Sequence, residues 1–364
     1  MLTMARLSAD LDIPLNVKTP GTRRSDQFLA GLRNASRVTF VSHVQPDPDS
    51  LGSMLGLAHL VETKLGKPTR ITRDGLINRA ENRAMVQLLG LNLIAVEDLD
   101  FLPGEAVVMV DSQPNTGRHT FADVPLYAVI DHHTTPGDLS DVQFVDVRPP
   151  LGATCTLVTR YLIEQDAPVP ARVATALHYG IETEVSGYPR EATHVDDGAL
   201  HFLFPLADKN LLAQIRNAQL PQSHFDVLMQ ALQSATVCGR LVVSWVSNLP
   251  QPEQAAEVVD FMVRCDRVDW ALCGGVCGDK LILSLRTSLH GVKAGELLRQ
   301  VVGDKGKAGG HDRRAGGYVE LTKRTPDAID DVQAEITRRI QKALGCEDTR
   351  PERLVMSRDA VPVN

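Results

Sequence analysis

The first half of the chain alternates between two hydrophobic patterns. Short apolar runs rich in β-branched residues are typical of strands that are buried on both faces. Between them, apolar residues return every three or four positions, as on one face of a helix. The strand-like runs lie at 37–43, 69–73, 91–96, 106–112 and 126–133, and the helix-like segments lie at 50–64 and 79–90. This alternation predicts an α/β fold in which a parallel sheet carries helices on both faces.

The second half follows a different pattern. Helical spacing of apolar residues dominates 205–220 and 224–235, two short β-branched runs follow at 241–246 and 280–286, and helical spacing returns at 326–345. We expect a connector of helices and then a smaller α/β domain with its own sheet and a closing helix. The predicted boundaries are an N-terminal extension (1–24), the first α/β domain (25–198), the helical connector (199–238), the second domain (239–345) and a tail (346–364).

Composition limits the class of protein. With 364 residues, of which 43% are hydrophobic, the chain is long enough for two cores. No apolar run reaches the roughly 18 residues that a membrane-spanning helix needs. Asp10 and Asp12 interrupt the N-terminal segment where a secretory leader would be apolar. We therefore expect a cytoplasmic protein without a membrane anchor, whose six cysteines are reduced and mostly buried.

The charge balance bears on the substrate. A net charge of −7 argues against a surface that grips long nucleic acid by its phosphates, and an aromatic content of 4% argues against an extended base-stacking platform. Short or small phosphorylated substrates remain compatible with both numbers.

The turn after the first strand has unusual chemistry. His43, Asp47 and Asp49 stand within seven residues, and two prolines among them stiffen the chain. We expect Ser50 to cap the helix that follows. A rigid turn that presents one imidazole and two carboxylates is suited to binding a metal ion.

Similar side chains follow two other predicted strands. Asp111 ends the fourth run, and Asp131, His132 and His133 end the fifth. Each has an ordinary alternative, because an aspartate often caps a turn and a histidine is often a structural side chain. Since the carboxyl ends of parallel strands meet at one edge of a sheet, we expect all of them to lie together. As a group they favour a metal site.

Electrostatics supports this interpretation. Four carboxylates at one sheet edge repel one another, and buried carboxylates are costly without compensating cations. Hard divalent ions neutralise them, and a mixture of oxygen and nitrogen donors suits manganese better than calcium or magnesium. Two ions about 3.5–4 Å apart activate water and stabilise a phosphoryl group during displacement.

These residues carry a family resemblance. The segments "HVQPDPD", "MVDS" and "VIDHH" resemble, in order, the signatures of the DHH phosphoesterase superfamily, which is named for the triplet at 131–133. Segments 152–164 and 176–190 and the C-terminal "KAGGHDRRAGG" are also similar to that family. The resemblance covers about residues 25–345.

The resemblance implies a two-ion centre with Mn²⁺, or alternatively Mg²⁺. Its metal ligands would be His43, Asp47, Asp49, Asp111, His132 and Glu184. Asp111 would bridge the two ions, Asp131 would orient neighbouring groups, and His133 would face the scissile phosphate.

One ligand position departs from the family pattern. The family has aspartate at the last position of this signature, where residues 180–184 read Gly-Ile-Glu-Thr-Glu and end on Glu184. Glu182 is a competing candidate, and a solvated glutamate in a loop is the ordinary alternative.

The second domain contains a glycine-rich segment at 303–318. We expect a loop there, and it resembles the GGGH-x-x-AGG signature of the DHH-associated C-terminal domain, with Ala308 in place of the first glycine. By resemblance this domain would face the metal ions across a cleft. The implied substrate-binding residues are Arg190, Arg286, Gly309, Gly310 and His311. Arg190 is equally compatible with a surface salt bridge.

Together these features predict a manganese-dependent phosphoesterase that hydrolyses short oligonucleotides or small nucleotides such as adenosine 3′,5′-bisphosphate through a water activated by two metal ions. The alternatives are a phosphodiesterase for cyclic or linear dinucleotides, an exopolyphosphatase or pyrophosphatase, and a catalytically weak nucleotide-binding module. A homodimer is a modest expectation from the resemblance.

Overall fold

The computed structural model describes residues 23–117, 119–120, 124–134, 137–187, 192–310 and 312–355. The chain forms two compact units, Met1–Ala218 and Gln219–Asn364. The division lies inside the segment that we predict as a helical connector, and the finer domain boundaries stay predictions. None of the described helices is long and apolar enough to cross a membrane.

The first unit is built on a parallel sheet. Its described strands are β1 (Val38–Val41), β2 (Thr69–Arg73), β3 (Leu93–Ala95), β4 (Ala106–Val110), β5 (Ala128–Asp131) and β6 (Phe144–Val147). They lie in the order β3-β2-β1-β4-β5-β6, and every neighbouring pair is parallel. The order reverses between β1 and β4, and the carboxyl ends of strands beside such a reversal are where α/β sheets bind ligands.

Helices cover one face of this sheet. They are α1 (Arg24–Leu32), α2 (Pro48–Leu65), α3 (Ala80–Leu88), α4 (Thr154–Glu164), α5 (Ala171–Val185), α6 (His194–Leu203) and α7 (Lys209–Arg216). Phe40, Val108 and Ile130 point from the strands into the main core, which they share with buried side chains of α1, α2, α4 and α5. The α/β class with a parallel sheet is confirmed.

The opposite face is covered differently from our expectation. Val41, Val107, Met109 and Val129 form a small cluster there. Its partners come from segments between strands, namely Leu99, Phe101, Val124, Leu126, Leu139, Val142 and, from β6, Val147. Within the described residues, loops rather than helices cover this face, because the connections from β3 to β6 contain no α-helix.

The second unit has a mixed sheet and four described helices. Its strands are β7 (Thr236–Cys238), β8 (Leu241–Val246), β9 (Trp270–Cys277), β10 (Lys280–Thr287), β11 (Gly306–Gly310), β12 (Arg314–Glu320) and β13 (Glu352–Arg353), in the order β11-β12-β10-β9-β8-β7-β13. Its helices are α8 (Gln222–Ser234), α9 (Gln254–Met262), α10 (Ala294–Val302) and α11 (Pro326–Ala343). Only the β8–β9 pair is parallel among these strands.

The glycine-rich segment is not the loop that we predict from sequence. It forms the antiparallel strands β11 and β12, in which Ala308 pairs with Gly317 and Gly309 pairs with Gly316. A side chain at Gly317 would lie 2.7 Å from the carbonyl oxygen of Lys307. Glycine is therefore needed there so that the strands can approach each other.

The cap of α2 also differs from the prediction. Asp47, not Ser50, is the N-cap residue, and its side chain accepts a hydrogen bond from the backbone N–H of Ser50 at 3.0 Å. Pro48 occupies the first helical position, where its missing N–H costs nothing. Ser50 therefore lies inside the first turn, and its hydroxyl is available for other contacts.

A buried charge network near the amino ends of β1, β2 and β4 provides a stability prediction. The side chain of Glu105 is 1% exposed and accepts hydrogen bonds from Arg37 at 2.8 Å, Arg70 at 2.6 Å and Thr39. Burial would raise the pKa of Glu105, but these hydrogen bonds outweigh burial and lower it to about 2.

We expect Glu105→Gln to lower the free energy of unfolding at pH 7 by about 3 kcal/mol, because two arginines lose their buried counter-charge. Because the folded-state pKa of Glu105 is depressed, its contribution is present above its unfolded value of 4.5 and is lost as pH falls towards 2. The difference between the two proteins in urea titrations should therefore shrink at pH 3. Equal stability at pH 7 would show that the network contributes nothing.

Candidate metal centre

The predicted metal-binding residues meet at the carboxyl edge beside β1, β4 and β5. His43 lies two residues after β1, Asp111 directly follows β4, and Asp131 is the last residue of β5. Asp111 has a φ of 57°, a left-handed conformation that only a few per cent of non-glycine residues adopt. Such backbone strain is common at functional sites. Here the buried carboxylate of Asp111 lies between His43 on one side and His132 and His133 on the other.

Two clusters of ligand atoms share Asp111. In the first triad, His43 Nε2 lies 3.7 Å from Asp47 Oδ2 and 3.6 Å from Asp111 Oδ2. In the second triad, Asp111 Oδ1 lies 3.5 Å from His132 Nε2 and 3.7 Å from His133 Nδ1. Within each triad the ligand atoms lie within 4.8 Å of one another. One oxygen of Asp111 therefore faces each triad, as a bridging ligand requires.

Asp49 lies beside the second triad. Its Oδ2 is 3.7 Å from His132 Nε2, and the residue is 1% exposed. The backbone N–H groups of Thr154 and Cys155, at the start of α4, each donate to this carboxylate at 2.7 Å. The N-terminus of a helix favours negative charge, and the two N–H groups of α4 fix the orientation of the Asp49 carboxylate.

The imidazoles of His43 and His132 are oriented for metal binding. His43 Nδ1 donates to the Val44 carbonyl oxygen at 2.8 Å, and His132 Nδ1 donates to the Leu151 carbonyl oxygen at 3.1 Å. Because a carbonyl only accepts hydrogen bonds, Nδ1 carries the proton in both rings. Nε2 of each ring is therefore the atom that points to the carboxylates, which is the arrangement expected of metal-ligating histidines.

His133 is held in another way. Its Nδ1 donates to Asp131 Oδ1 at 2.8 Å, and Asp131 also accepts hydrogen bonds from Gln113 Nε2 at 2.8 Å and from the backbone N–H of His132 at 2.8 Å. Burial would raise the pKa of Asp131, but the hydrogen bond and charge of His133 lower it to about 2. Asp131 is thus an ionised anchor, and Nδ1 of His133 is occupied by that anchor.

The centre attracts positive charge strongly. Burial would lower the pKa of His43, yet hydrogen bonds and charges from Asp111 and Asp47 outweigh burial and raise it to about 10. Burial, with the charges of Asp111 and Asp47, raises the pKa of Asp49 well above its usual range. A cluster that draws protons onto buried groups binds divalent cations in their place, because the cations neutralise the same carboxylates. The imidazole and carboxylate donors therefore fit divalent metal ions.

Comparison with known proteins agrees with this chemistry. Residues 37–181 match the family model of the DHH family, N-terminal domain, and residues 239–342 match that of the DHHA1 domain. The chain belongs to the DHH family. Its DHH N-terminal domain is followed by a DHHA1 domain.

Three similar proteins illustrate the range of the family. An uncharacterized protein of Methanocaldococcus jannaschii is 30% identical over 283 residues, 77% of this chain and 57% of that protein. A "Probable manganese-dependent inorganic pyrophosphatase" of Streptococcus agalactiae is 24% identical over 196 residues, 53% of this chain and 60% of that protein. The chain thus spans less than two thirds of these curated relatives. The crystal structure of an exopolyphosphatase-related protein from Bacteroides fragilis has a TM-score of 0.69 at 16% identity, covers 88% of this chain and 97% of that one, and shows the same fold.

Glu184 of the DHH domain lies on α5, not in a loop. A side chain at Gly180, one turn earlier, would lie 2.8 Å from the carbonyl oxygen of Pro48, so glycine lets α5 pack directly against α2. The charge of Glu184 raises the pKa of Asp49 and of His132, after the larger effects of burial and Asp111 on each. The charge of Glu184 therefore acts on Asp49 and His132, which lie beside each other at the centre.

Glu182, the competing candidate, has a different partner. Its Oε2 accepts hydrogen bonds from Arg216 Nε at 2.9 Å and from a terminal nitrogen of the same guanidinium at 2.7 Å. Two residues that are two positions apart on a helix, such as Glu182 and Glu184, do not face the same way. Glu182 is thus engaged by Arg216, and the assignment of Glu184 as the acidic ligand stays a prediction.

Three polar residues at the centre escaped the sequence reasoning. Ser50 and Thr154 donate to the two oxygens of Asp111, and Gln113 holds Asp131. Ser50 adjoins a predicted ligand, and Thr154 lies in a segment of family resemblance. Nothing in the spacing of hydroxyl or amide residues, however, distinguishes these contacts from ordinary helix or turn chemistry.

The DHHA1 domain contains the proposed substrate-binding residues Arg286, Gly309 and Gly310. Arg286 lies on β10, and its Nε donates to Asp260 Oδ1 at 2.6 Å. The two glycines end β11, and Gly310 has a φ of 144° that disfavours any other residue. Arg190 and His311 lie outside the described residues, so their assignments remain predictions.

Proposed function

We propose that this DHH phosphoesterase uses two manganese ions to hydrolyse short oligonucleotides or small phosphorylated nucleotides such as adenosine 3′,5′-bisphosphate. The observation that carries the proposal is the position of Asp111, whose Oδ2 faces His43 Nε2 and whose Oδ1 faces His132 Nε2. A shared carboxylate between two clusters of nitrogen and oxygen donors is the arrangement of a paired-metal hydrolase.

The proposed ligands divide between the two ions. His43, Asp47 and Asp111 would hold the first ion, and Asp49, Asp111, His132 and Glu184 would hold the second. When bound, such ions lower the pKa of a coordinated water and stabilise charge on a phosphoryl group. Manganese is favoured because carboxylate oxygens, which suit it, outnumber imidazoles among the proposed ligands, and a similar protein is named as manganese-dependent.

His133 is proposed to contact the phosphoryl group of the substrate. Asp131 binds its Nδ1, which fixes the orientation of the ring, and Nε2 is the atom that we propose to contact a substrate oxygen. Burial would lower the pKa of His133, but the hydrogen bond to Asp131 and the charge of Asp111 outweigh burial and raise it. A protonated imidazole donates a strong hydrogen bond to a phosphoryl oxygen, on which negative charge develops during displacement.

The sheet of the DHHA1 domain supports a nucleotide substrate. Gly309 and Gly316 pair across β11 and β12, and side chains placed at either would meet no atom of the described residues closer than 4.0 Å. Paired residues lie on the same face of a sheet, and Arg314 and Tyr318 flank Gly316 on that face. Lys280 Nζ lies 4.2 Å from the centre of the Tyr318 ring. Backbone without side chains at Gly309 and Gly316 allows close approach of a ligand. The neighbouring aromatic and cationic side chains are suited to a nucleotide base and its phosphate.

Gly309 allows a direct test of this surface. Packing within the protein does not require glycine there, and its φ lies outside the left-handed region. We expect Gly309→Ala to leave the melting temperature unchanged and to raise KM for a dinucleotide roughly tenfold, since an added methyl group in a tight contact costs about 1–3 kcal/mol. Gly317→Ala is the control, in which the crowded strand contact should lower stability instead. An unchanged KM for Gly309→Ala would remove this surface from the substrate site.

The overall proposal is tested by a substrate panel at one manganese concentration. It contains a dinucleotide, longer RNA, adenosine 3′,5′-bisphosphate, a cyclic dinucleotide, pyrophosphate and polyphosphate. We expect kcat/KM to be highest for the dinucleotide or the bisphosphate. Faster hydrolysis of pyrophosphate or polyphosphate would assign the protein the activity that its relatives' names describe. Preference for the cyclic dinucleotide, or tight nucleotide binding without turnover, would likewise contradict the proposal.

A further inference from the structure

The shared carboxylate of Asp111 is held by two hydroxyl groups from different helices. Ser50 Oγ donates to Asp111 Oδ2 at 2.7 Å, and Thr154 Oγ1 donates to Asp111 Oδ1 at 2.9 Å. Ser50 and Thr154 have no exposed surface, and Asp111 is 1% exposed. Each oxygen of the carboxylate therefore has its own dedicated donor.

Each hydroxyl residue also contacts a second predicted ligand. Ser50 Oγ lies 2.9 Å from His43 Nε2, which belongs to the first triad, and accepts a hydrogen bond from Ser42 Oγ at 2.8 Å. The backbone N–H of Thr154 donates to Asp49 Oδ2 at 2.7 Å, on the side of His132. Ser50 thus connects Asp111 to the first site, and Thr154 connects Asp111 to the second.

We propose that Ser50 and Thr154 are positioning residues with separate tasks. Ser50 sets the affinity of the first metal site, and Thr154 sets the affinity of the second. This inference rests on the two-ion centre of the proposed function. It assigns roles to two residues outside the ligand set that we carry over from the family resemblance.

The physical basis is the freedom of the carboxylate. Without donors, the carboxylate of Asp111 rotates about its χ2 bond, and binding an ion must then pay for fixing it. A charge-assisted hydrogen bond on each oxygen fixes the plane of the carboxylate before any ion binds. Residues that orient metal ligands typically contribute 10–100-fold to metal affinity. Two hydroxyls on opposite oxygens should therefore affect the two ions unequally.

The test measures Mn²⁺ binding to the full chain after metal removal, by calorimetry and by the electron paramagnetic resonance signal of free Mn²⁺. The variants are Ser50→Ala and Thr154→Val; valine preserves the shape of Thr154 and its backbone hydrogen bond to Asp49. Ser53→Ala and Thr159→Val are matched controls. Ser53 and Thr159 are fully buried on the same two helices, and their hydroxyls bind Cys155 Sγ and the Cys155 carbonyl oxygen rather than Asp111.

We expect each of the two test variants to lower the affinity for one Mn²⁺ ion about tenfold or more. Neither control should lower the affinity for either ion by more than about twofold. Thr154→Ser, which keeps the hydroxyl, should restore the affinity. Melting of the metal-free proteins shows whether they are folded. If Ser50→Ala does not fold, Ser50→Cys keeps the size of the side chain and replaces the hydroxyl by a much weaker hydrogen-bond donor.

The division between the sites is tested in a His43→Ala background, which leaves the second site as the binding site. In that background we expect Thr154→Val to lower the affinity for the remaining Mn²⁺ ion about tenfold. Ser50→Ala should change the same affinity by less than about twofold. Equal weakening of Mn²⁺ binding by both variants would overturn the separate roles, and no effect of either variant would overturn the positioning role altogether.

If the wild-type chain binds no Mn²⁺, the proposed metal centre itself fails. If it binds two ions and turns over substrate while both variants match it, only this inference fails.

Discussion

Replacing Asp111 by asparagine is expected to abolish phosphoester hydrolysis, with kcat/KM falling roughly a thousandfold or more, which corresponds to about 4 kcal/mol of lost transition-state stabilisation. Each oxygen of Asp111 faces one triad, so a neutral amide weakens both sites at once. Asparagine is chosen over alanine because it tolerates the φ of 57° at this position, which alanine does not.

The measurement combines turnover of a dinucleotide with elemental analysis of the dialysed protein. Both ions should be lost while the metal-free variant stays folded. Its melting temperature should be below that of the wild type. Burial would raise the pKa of Asp111, but the hydrogen bond of His43 and the charges of His133 and His132 outweigh burial and lower it, so the charge that is removed is a stabilising one.

Asp146→Asn is the matched control. Asp146 is a buried carboxylate on β6 that binds Tyr161 and Arg148, so this change should affect stability rather than turnover. Two retained ions in Asp111→Asn would show that Asp111 is not the bridge.

Replacing Glu184 by glutamine is expected to cause the second largest loss. The amide keeps the size of the side chain and removes the charge that acts on Asp49 and His132. We expect one ion per chain to be lost and kcat to fall about a hundredfold, since carboxylate oxygens are much better ligands for hard divalent ions than amide oxygens are.

Glu182→Gln provides the matched control for this prediction, because it makes the same chemical change two residues away. Glu182 is paired with Arg216, so its replacement should leave manganese dependence and rate as in the wild type. The comparison is a manganese titration of activity for the three proteins. If Glu184→Gln titrates like the wild type, Glu184 is not a ligand; if Glu182→Gln loses the ion instead, the register of the signature must be shifted.

The sequence predicts that His43, Asp111 and Asp131 lie close together because these residues follow strands. His43, Asp111 and Asp131 each stand at the end of a buried apolar run, and parallel strands bring such ends to one edge. No knowledge of packing is needed for that inference. The contacts of Ser50 and Thr154 with Asp111 could not be predicted in this way, because they depend on how the first turns of α2 and α4 pack against β4.

The departures from the predicted fold have similar causes. The strands β11 and β12 contain five glycines between them, so they lack the apolar alternation by which strands are recognised. On the first sheet, the segments that cover Val107 and Met109 are irregular, and a loop that contributes single apolar residues leaves no periodic signal in the sequence. Periodicity reveals regular elements, and it says little about backbone that is fixed by tertiary contacts.

The most direct single measurement is the release of mononucleotide from a labelled dinucleotide by the wild-type chain, as a function of the number of Mn²⁺ ions bound per chain. We expect no release without metal and full release once two ions are bound. Full release with one bound ion, release that does not depend on manganese, or no release with both sites filled would contradict a two-manganese phosphoesterase acting on short nucleotides.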